Sequence, residues 1–219
     1  MTERFRIELR HDGDCENPLE WDLEWKLYSF NRRHANFKSP EKLGLGLTLD
    51  DDGWPVVEDR ILRGKLKTGL AFFASCHQHS GIQWGLPGEV PQCPWDTARV
   101  GGLLVWEHNP VALGKTCGLR ASHARIALSQ YTAWCNGECY GYEVSQVDEA
   151  GSETVHDSCF GFIVADRQAA KHFFEQIGQN IPPGAEIDWS GSAAVLVDRY
   201  ADIPSWLEGN KKVDATKHD

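Results

Sequence analysis

Apolar and polar residues alternate along several short segments of this chain, as they do in β-strands that bury one face. The clearest segment is 4–10, whose apolar side chains fall on one face and whose charged side chains fall on the other. Weaker alternation predicts strands over 25–33 and 42–50, and the acidic residues and glycine that follow 42–50 predict a turn. Residues 54–67 are more polar and predict a loop or a short helix.

Other segments are apolar without alternation, which is typical of strands buried on both faces. Such runs cover 69–75 and 103–106, and a shorter run at 193–197 predicts a late strand. Two longer segments rich in aromatic and β-branched residues, 139–147 and 154–164, flank a polar turn. Together they predict a hairpin.

Two segments have the residue spacing of helices. Asp166 is a predicted N-cap, and apolar residues follow it at helical spacing as far as Gly178. Ser122 is a second predicted N-cap, for a helix that continues to about Cys135. These elements predict an α+β fold, with a largely antiparallel sheet and two principal helices packed on it.

Length and composition bound the size of the core. At 219 residues, of which 41% are hydrophobic, the chain can bury a sizeable core without disulfide or metal staples. No internal repeat or linker forces a division, so we predict a single domain over 1–207. The lysine-bearing segment 208–219 has little to bury and is predicted to be a mobile tail.

The net charge of the chain indicates which classes of partner it can bind. The chain has 22 basic and 32 acidic residues, a formal charge of −10, which disfavours direct binding to nucleic acids and anionic membranes. Acidic residues crowd between positions 11 and 25, where they are Asp12, Asp14, Glu16, Glu20, Asp22 and Glu24. This segment is a solvated loop, a site for a hard cation, or a surface that imitates a phosphate backbone. Asn17 and Leu23 stand where an EF-hand requires Gly and Glu, which excludes that motif.

The chain shows no feature of export or of membrane insertion. Its N-terminus lacks an apolar signal core, and no apolar run approaches the roughly 20 residues that cross a bilayer. We therefore expect a cytoplasmic protein without a membrane partner. The seven irregularly spaced cysteines are then expected to be reduced thiols rather than a disulfide framework.

Candidate chemistry concentrates in the stretch 76–102, which carries His, Cys, Asp, Trp, Pro and Gly residues between two of the apolar runs. Functional groups are often placed on loops that a rigid scaffold holds, so this stretch is the first candidate for a site. One interpretation is a zinc site, because Cys thiolates and His nitrogens are preferred zinc ligands. Its ligands would be Cys76, His77, His79 and Cys93.

Two other interpretations of this stretch stay open. A hydrolase would use Cys93 as a thiol nucleophile, His79 as a base and Asp96 as an orienting carboxylate. A binding pocket would combine aromatic surfaces with directional polar groups, as small-molecule sites do. The residues for such a pocket are Trp84, Trp95, Trp106, Ser80 and Asp96.

A second motif lies at 109–116, which nearly matches the phosphate-cradling loop GxxxxGKS/T. Asn109 replaces its first Gly, and Pro110 removes an amide that would face the phosphate. The match is therefore expected to be accidental, and we predict no cofactor.

Five sequence blocks occur in a fixed order between about residues 11 and 165. They are ENPLEWD near the N-terminus, HSGI from His79, CPWD with a later VG, a YGY block ending at Tyr142, and DSCFGF from Asp157. In this order the blocks resemble those of a family of uncharacterised bacteriophage and mobile-element proteins. Such a resemblance implies an accessory protein that binds and inhibits, or sequesters, a defence-related target in the host cell.

The resemblance also suggests which residues bind the target, whether this is a host protein or a small nucleotide-like molecule. The candidate ligand-binding residues are His79, Ser80, Cys93, Trp95, Asp96, Tyr140 and Asp157. We therefore predict a binding protein, and keep a hydrolase and an acidic DNA mimic as the alternatives.

Overall fold

The computed structural model describes residues 3–21, 25–179 and 181–200. The predicted tail at 208–219 lies outside the described residues, as do Asp22 and Glu24 of the acidic segment. Ten strands and four α-helices occur in the described residues, and the predicted α+β class is confirmed.

The strands are β1 (Arg4–His11), β2 (Trp25–Ser29), β3 (Leu47–Leu49), β4 (Pro55–Val57), β5 (Ala71–Gln78), β6 (Ile82–Gly85), β7 (Thr97–Trp106), β8 (Cys139–Val147), β9 (Glu153–Ile163) and β10 (Glu186–Ser190). The helices are α1 (Arg60–Thr68), α2 (Cys117–Cys135), α3 (Arg167–Gly178) and α4 (Val195–Arg199). The strands form two four-stranded sheets and one two-stranded sheet instead of a single sheet.

Contacts divide the chain into two compact units. The terminal unit comprises Met1–Cys15 and Gly137–Asp219, and the central unit comprises Glu16–Asn136. Each unit contains one of the four-stranded sheets. That the two units fold as a single domain stays a prediction.

The terminal unit contains a four-stranded sheet of order β10-β1-β8-β9. The β1–β10 pair is parallel, whereas β1–β8 and β8–β9 are antiparallel. Alternation along β1 buries its three apolar side chains in a core that they share with Phe173 and Phe174 of α3. Asp166 caps α3 by accepting a hydrogen bond from the Ala169 N–H, as predicted.

The central unit contains an antiparallel sheet of order β2-β7-β5-β6, with a core on each face. Leu104 and Trp106 of β7 pack in one core with apolar residues of α2. Leu103 and Val105 pack in the other core with Leu62 of α1. Neighbouring residues of β7 therefore point into different cores, which is why this run is apolar without alternation.

The predicted strand over 42–50 is wrong for most of its length. Pro40–Leu43 forms a 3-10 turn, and Gly44 and Gly46 have φ angles of 67° and 53°, which interrupt an extended backbone. Only Leu47–Leu49 is a strand. Leucines before and within it pack in the same core, so their alternation reflects burial rather than one continuous strand.

Three other boundaries differ from prediction. Helix α2 begins at Cys117 because Thr116, and not Ser122, caps it by accepting from the Leu119 N–H. The predicted strand at 193–197 overlaps helix α4, since a short apolar run does not distinguish a strand from a buried helix. Segment 54–67 contains both β4 and α1. In the part of the chain that the structure describes, no helix is long and apolar enough to cross a membrane.

Candidate functional site

The candidate stretch 76–102 is divided between three strands of the central sheet and the two segments that connect them, rather than forming one loop. Its first residues end β5, β6 occupies its middle, and β7 begins at Thr97. A tight turn joins β5 to β6, and a longer segment joins β6 to β7. Glycines in β7 hide the strand in the sequence, although Gly102 is required there because a Cβ would lie 2.6 Å from the Tyr28 carbonyl oxygen.

A single threonine organises the segment before β7. The Thr97 hydroxyl donates to the Pro91 carbonyl oxygen (2.6 Å) and accepts from the Cys93 N–H (3.1 Å). Its oxygen also lies 2.9 Å from His77 Nδ1, and the Thr97 N–H donates to the Cys93 carbonyl oxygen (3.0 Å). The one donor and both acceptor positions of the hydroxyl are thus in use, which fixes the shape of this segment.

Asp96 lies between two of the other predicted residues. Its Oδ2 atom is 3.0 Å from His79 Nδ1 and accepts a hydrogen bond from the Cys93 thiol at 3.4 Å. The backbone positions this carboxylate, because the Gln78 N–H donates to the Asp96 carbonyl oxygen at 2.8 Å. The structure therefore brings the side chains of His79, Cys93 and Asp96 together.

The order of these contacts decides what the cluster can do. In a thiol hydrolase the base contacts the thiol, and a cationic neighbour favours the reactive thiolate. Here the carboxylate of Asp96 lies between Cys93 and His79, so a negative charge faces the sulfur. The His79 side chain is 73% exposed, and Asp96 orients it towards solvent rather than towards a nucleophile. Such a pair suits hydrogen bonding and charge pairing with a partner.

Trp95 projects from the same segment with 91% of its surface exposed. Ser80 is exposed in the β5–β6 turn, in which the His79 N–H donates to the Gly81 carbonyl oxygen at 3.2 Å. We call His79, Cys93, Trp95 and Asp96 the Trp95 patch. It combines one large apolar surface with polar groups that the backbone and Thr97 hold in place.

An open depression of about 230 Å³ lies elsewhere in the central unit, between β6 and α2. Its lining includes Glu89 and Arg125, which form an ion pair at 2.7 Å. No residue of the Trp95 patch lines it. The patch and this depression are therefore separate features.

The zinc interpretation is not supported by the positions of its residues. Cys76 is buried in the core beside α2, and burial raises the pKa of its thiol to about 11. His77 contacts the Thr97 hydroxyl instead of a second ligand. No group of three or more His, Cys, Asp or Glu side chains within the described ranges could hold a metal ion.

Two predicted residues belong to the terminal unit. Tyr140 is buried in the core, and its hydroxyl donates to Glu138. Burial, with the Glu138 carboxylate, raises the pKa of the Tyr140 hydroxyl. Asp157 lies on β9 and accepts from the Tyr142 hydroxyl at 2.9 Å. Tyr140 is therefore a core residue, whereas Asp157 lies on β9, which is an edge strand of the terminal sheet.

The first part of the acidic segment has a structural role. Asp12 Oδ2 accepts from the Gly161 N–H at 2.9 Å, and Asp12 Oδ1 accepts from the Asp14 N–H at 3.0 Å. One of its carboxylates therefore supports the β9 strand. The acidic segment is divided between the units, because Asp12 and Asp14 belong to the terminal unit and Glu16 begins the central unit.

Thr97 and His77 were missed as residues that shape the site. Thr97 follows the CPWD block directly and is the first residue of β7. A hydroxyl residue just after a Pro-containing turn is a signal of local side-chain to backbone hydrogen bonds, and it could have indicated this role.

Comparison with known proteins adds no relative. No family model matches the chain, and no curated protein and no solved structure matches it. The resemblance to bacteriophage and mobile-element proteins stays a prediction that rests on the five sequence blocks.

Proposed function

We propose that this chain is a phage-type accessory protein of the host cytoplasm that binds a defence-related host protein through the Trp95 patch, and so inhibits or sequesters it. The observation that carries the proposal is Trp95, which is 91% exposed on a segment of fixed shape. Rigid aromatic side chains are the commonest anchors of protein interfaces because they bury a large area at a small cost in conformational entropy.

The shape of the patch favours a protein over a small nucleotide-like ligand. Small-molecule sites are concave and enclose most of the ligand surface. The Trp95 patch projects, and the depression beside α2 contains none of its residues. An exposed Trp with polar groups at its side resembles half of a protein interface, in which an apolar anchor lies inside a polar rim.

The hydrolase alternative has one supporting observation, the 3.0 Å contact that orients the His79 ring. It predicts that the Asp96→Asn and His79→Ala variants still bind the target but no longer change its covalent mass. The binding proposal predicts the reverse, since the target keeps its mass with the native chain and loses affinity for these variants.

The test compares two exposed tryptophans. The native chain is used to capture its target from host lysate, the target is identified by mass spectrometry, and the dissociation constant is then measured with purified proteins. Trp95→Ala is expected to weaken binding by at least about tenfold, because interface anchors contribute about 2 kcal/mol or more. Trp54→Ala is the matched control, because Trp54 is 52% exposed on the same unit and lies outside the patch.

Equal dissociation constants for the native chain and Trp95→Ala would contradict the proposal. A loss of affinity that is the same in both tryptophan variants would also contradict it, because the effect would then not be specific to the patch.

A further inference from the structure

One of the two units carries the whole net charge of the chain. Over its full ranges the terminal unit has 19 acidic and 9 basic residues, whereas the central unit has 13 of each. The formal charge of −10 is therefore carried by the terminal unit, and the central unit is neutral. A strongly acidic unit attracts basic partners and repels acidic ones.

Within the terminal unit the acidic charge is concentrated on the β8–β9 hairpin. No Lys or Arg occurs from Gly137 to Asp166. Five carboxylates lie on the two strands and their turn, namely Glu143, Asp148, Glu149, Glu153 and Asp157. Arg6 of β1 forms an ion pair with Glu153.

The β9 strand forms one edge of the terminal sheet. It is 11 residues long, and most of its side chains are exposed. Unpaired N–H and C=O groups on such an edge are a template for another strand. The Gly161 N–H donates to Asp12, which follows β1 and so lies on the inner side of β9.

In the central sheet, by contrast, other groups of the same chain form hydrogen bonds with both edge strands. At β6, side chains of Thr132 and Asn136 hydrogen-bond the outward N–H and C=O groups of Trp84 and Ile82. At β2, the segment around Phe37 hydrogen-bonds both backbone groups of Ser29. This chain thus covers both edges of its central sheet with its own groups. Among the described residues, no backbone hydrogen bond outside the β8–β9 ladder reaches a residue between Glu153 and Ile163.

The side chains of β9 suit an added strand. Thr154 and Val155 are β-branched, and Val155 is 59% exposed. Phe160 is exposed and packs over Gly141 of β8, where a Cβ would lie 2.0 Å from the Phe160 ring. Val155 could therefore contact a side chain of an added strand whose backbone pairs with the edge.

We propose that the outer edge of β9 binds an extended, basic segment of a partner protein by strand addition. Backbone hydrogen bonds would supply affinity, and the five carboxylates of the hairpin would select lysine and arginine side chains. A second copy of this chain is disfavoured at the same edge, because two acidic hairpins would repel each other. This interaction is independent of the Trp95 patch, which belongs to the other unit.

The test uses the full chain and a synthetic peptide of about eight alternating Lys and Val residues, a typical strand length. Binding is measured by calorimetry, and amide hydrogen exchange of the chain is measured with and without the peptide. We expect alternate amides of β9 to exchange at least about tenfold more slowly in the complex. A peptide of alternating Glu and Val should neither bind nor protect these amides.

Two valine variants supply the control. Val155→Lys adds a positive charge to the edge and should weaken binding of the basic peptide by at least about tenfold. Val111→Lys makes the same chemical change at a position that is 81% exposed in the central unit, and it should leave affinity within about twofold. Both positions are exposed, so neither change removes a core contact.

Several results would overturn the proposal. Binding of the basic peptide without protection of β9 amides would show general electrostatic attraction only. Equal effects of Val155→Lys and Val111→Lys would show the same. Protection of β9 amides in the chain alone, rising with protein concentration, would show that a second copy occupies the edge instead.

Discussion

At the scale of single residues, the candidate site depends on the hydroxyl of Thr97 more than on any charged group. We predict that Thr97→Val destabilises the chain by about 0.5–1.5 kcal/mol, because it removes the hydrogen bonds to the Pro91 carbonyl and the Cys93 N–H, which water can partly replace. The same change should loosen the segment that carries Trp95. Urea unfolding measures the first effect, and amide exchange at Cys93 measures the second.

Thr97→Ser is the control for this prediction. Serine keeps the hydroxyl and loses only the methyl group, so its amide exchange at Cys93 should match that of the native chain. If the valine and serine variants behave alike, the hydroxyl does not organise the segment and the methyl group accounts for the stability.

At the scale of elements, side chains at the C-terminal end of helix α2 form hydrogen bonds with the outer backbone groups of β6, where a further strand of the central sheet would otherwise pair. Asn136 accepts from the Ile82 N–H (3.0 Å) and donates to the Ile82 carbonyl oxygen (2.7 Å). Thr132 accepts from the Trp84 N–H (2.9 Å) in the same way. Four residues of helix span about 6 Å and two residues of strand span about 6.6 Å, so one helical turn matches the spacing of alternate strand residues.

We predict that the double variant Thr132→Val with Asn136→Leu exposes this edge. The outward backbone groups of Ile82 and Trp84 would lose their partners, and open edges pair with other chains. Light scattering across a range of protein concentrations should show a mass that rises with concentration. Ser129→Ala is the control on the same helix, because Ser129 is exposed there. A double variant with the same mass as the native chain at every concentration would contradict this prediction.

Secondary-structure elements were predictable where burial of one or both faces determines both the sequence pattern and the fold. Alternation found β1, and continuous burial found β7, because both patterns follow from which faces meet a core. His79, Cys93 and Asp96 could be named together as candidates because one short stretch carries them. The order of their hydrogen bonds and the cover of β6 by Asn136 were not predictable, since these depend on contacts that no local pattern records.

At the scale of the whole molecule, overall charge hides an uneven distribution. A formal charge of −10 predicts an acidic protein, yet the central unit has equal numbers of acidic and basic residues. The crowded segment from Asp12 to Glu24, which suggested a DNA mimic, contributes to both units. The acidic surface that the terminal unit offers instead centres on the β8–β9 hairpin. Unit boundaries are set by long-range contacts, so this distribution could not be derived from the sequence alone.

Both units bury groups that must stay neutral, so stability is expected to fall at alkaline pH. In the central unit, burial raises the pKa of the Cys76 and Cys135 thiols to about 11 and, with the Glu107 carboxylate, the pKa of Tyr28 to about 12. In the terminal unit, burial raises the pKa of Tyr142, and the hydrogen bond to Asp157 adds to this shift. Each folded-state pKa lies above the ordinary values of about 8.5 for Cys and 10 for Tyr.

Because folding raises these pKa values, the folded state holds the protons more tightly than the unfolded state does. The free energy of unfolding therefore falls as the pH rises. The stabilisation is complete below about pH 8.5 and is lost as the pH rises through 11 and then 12. Urea unfolding with a reductant present should give a constant free energy near pH 7–8 and a steady fall above pH 9. Cys135→Ala removes one of the titrating groups and should make that fall less steep. A free energy that stays constant up to pH 11 would mean that these thiols reach water in the native state.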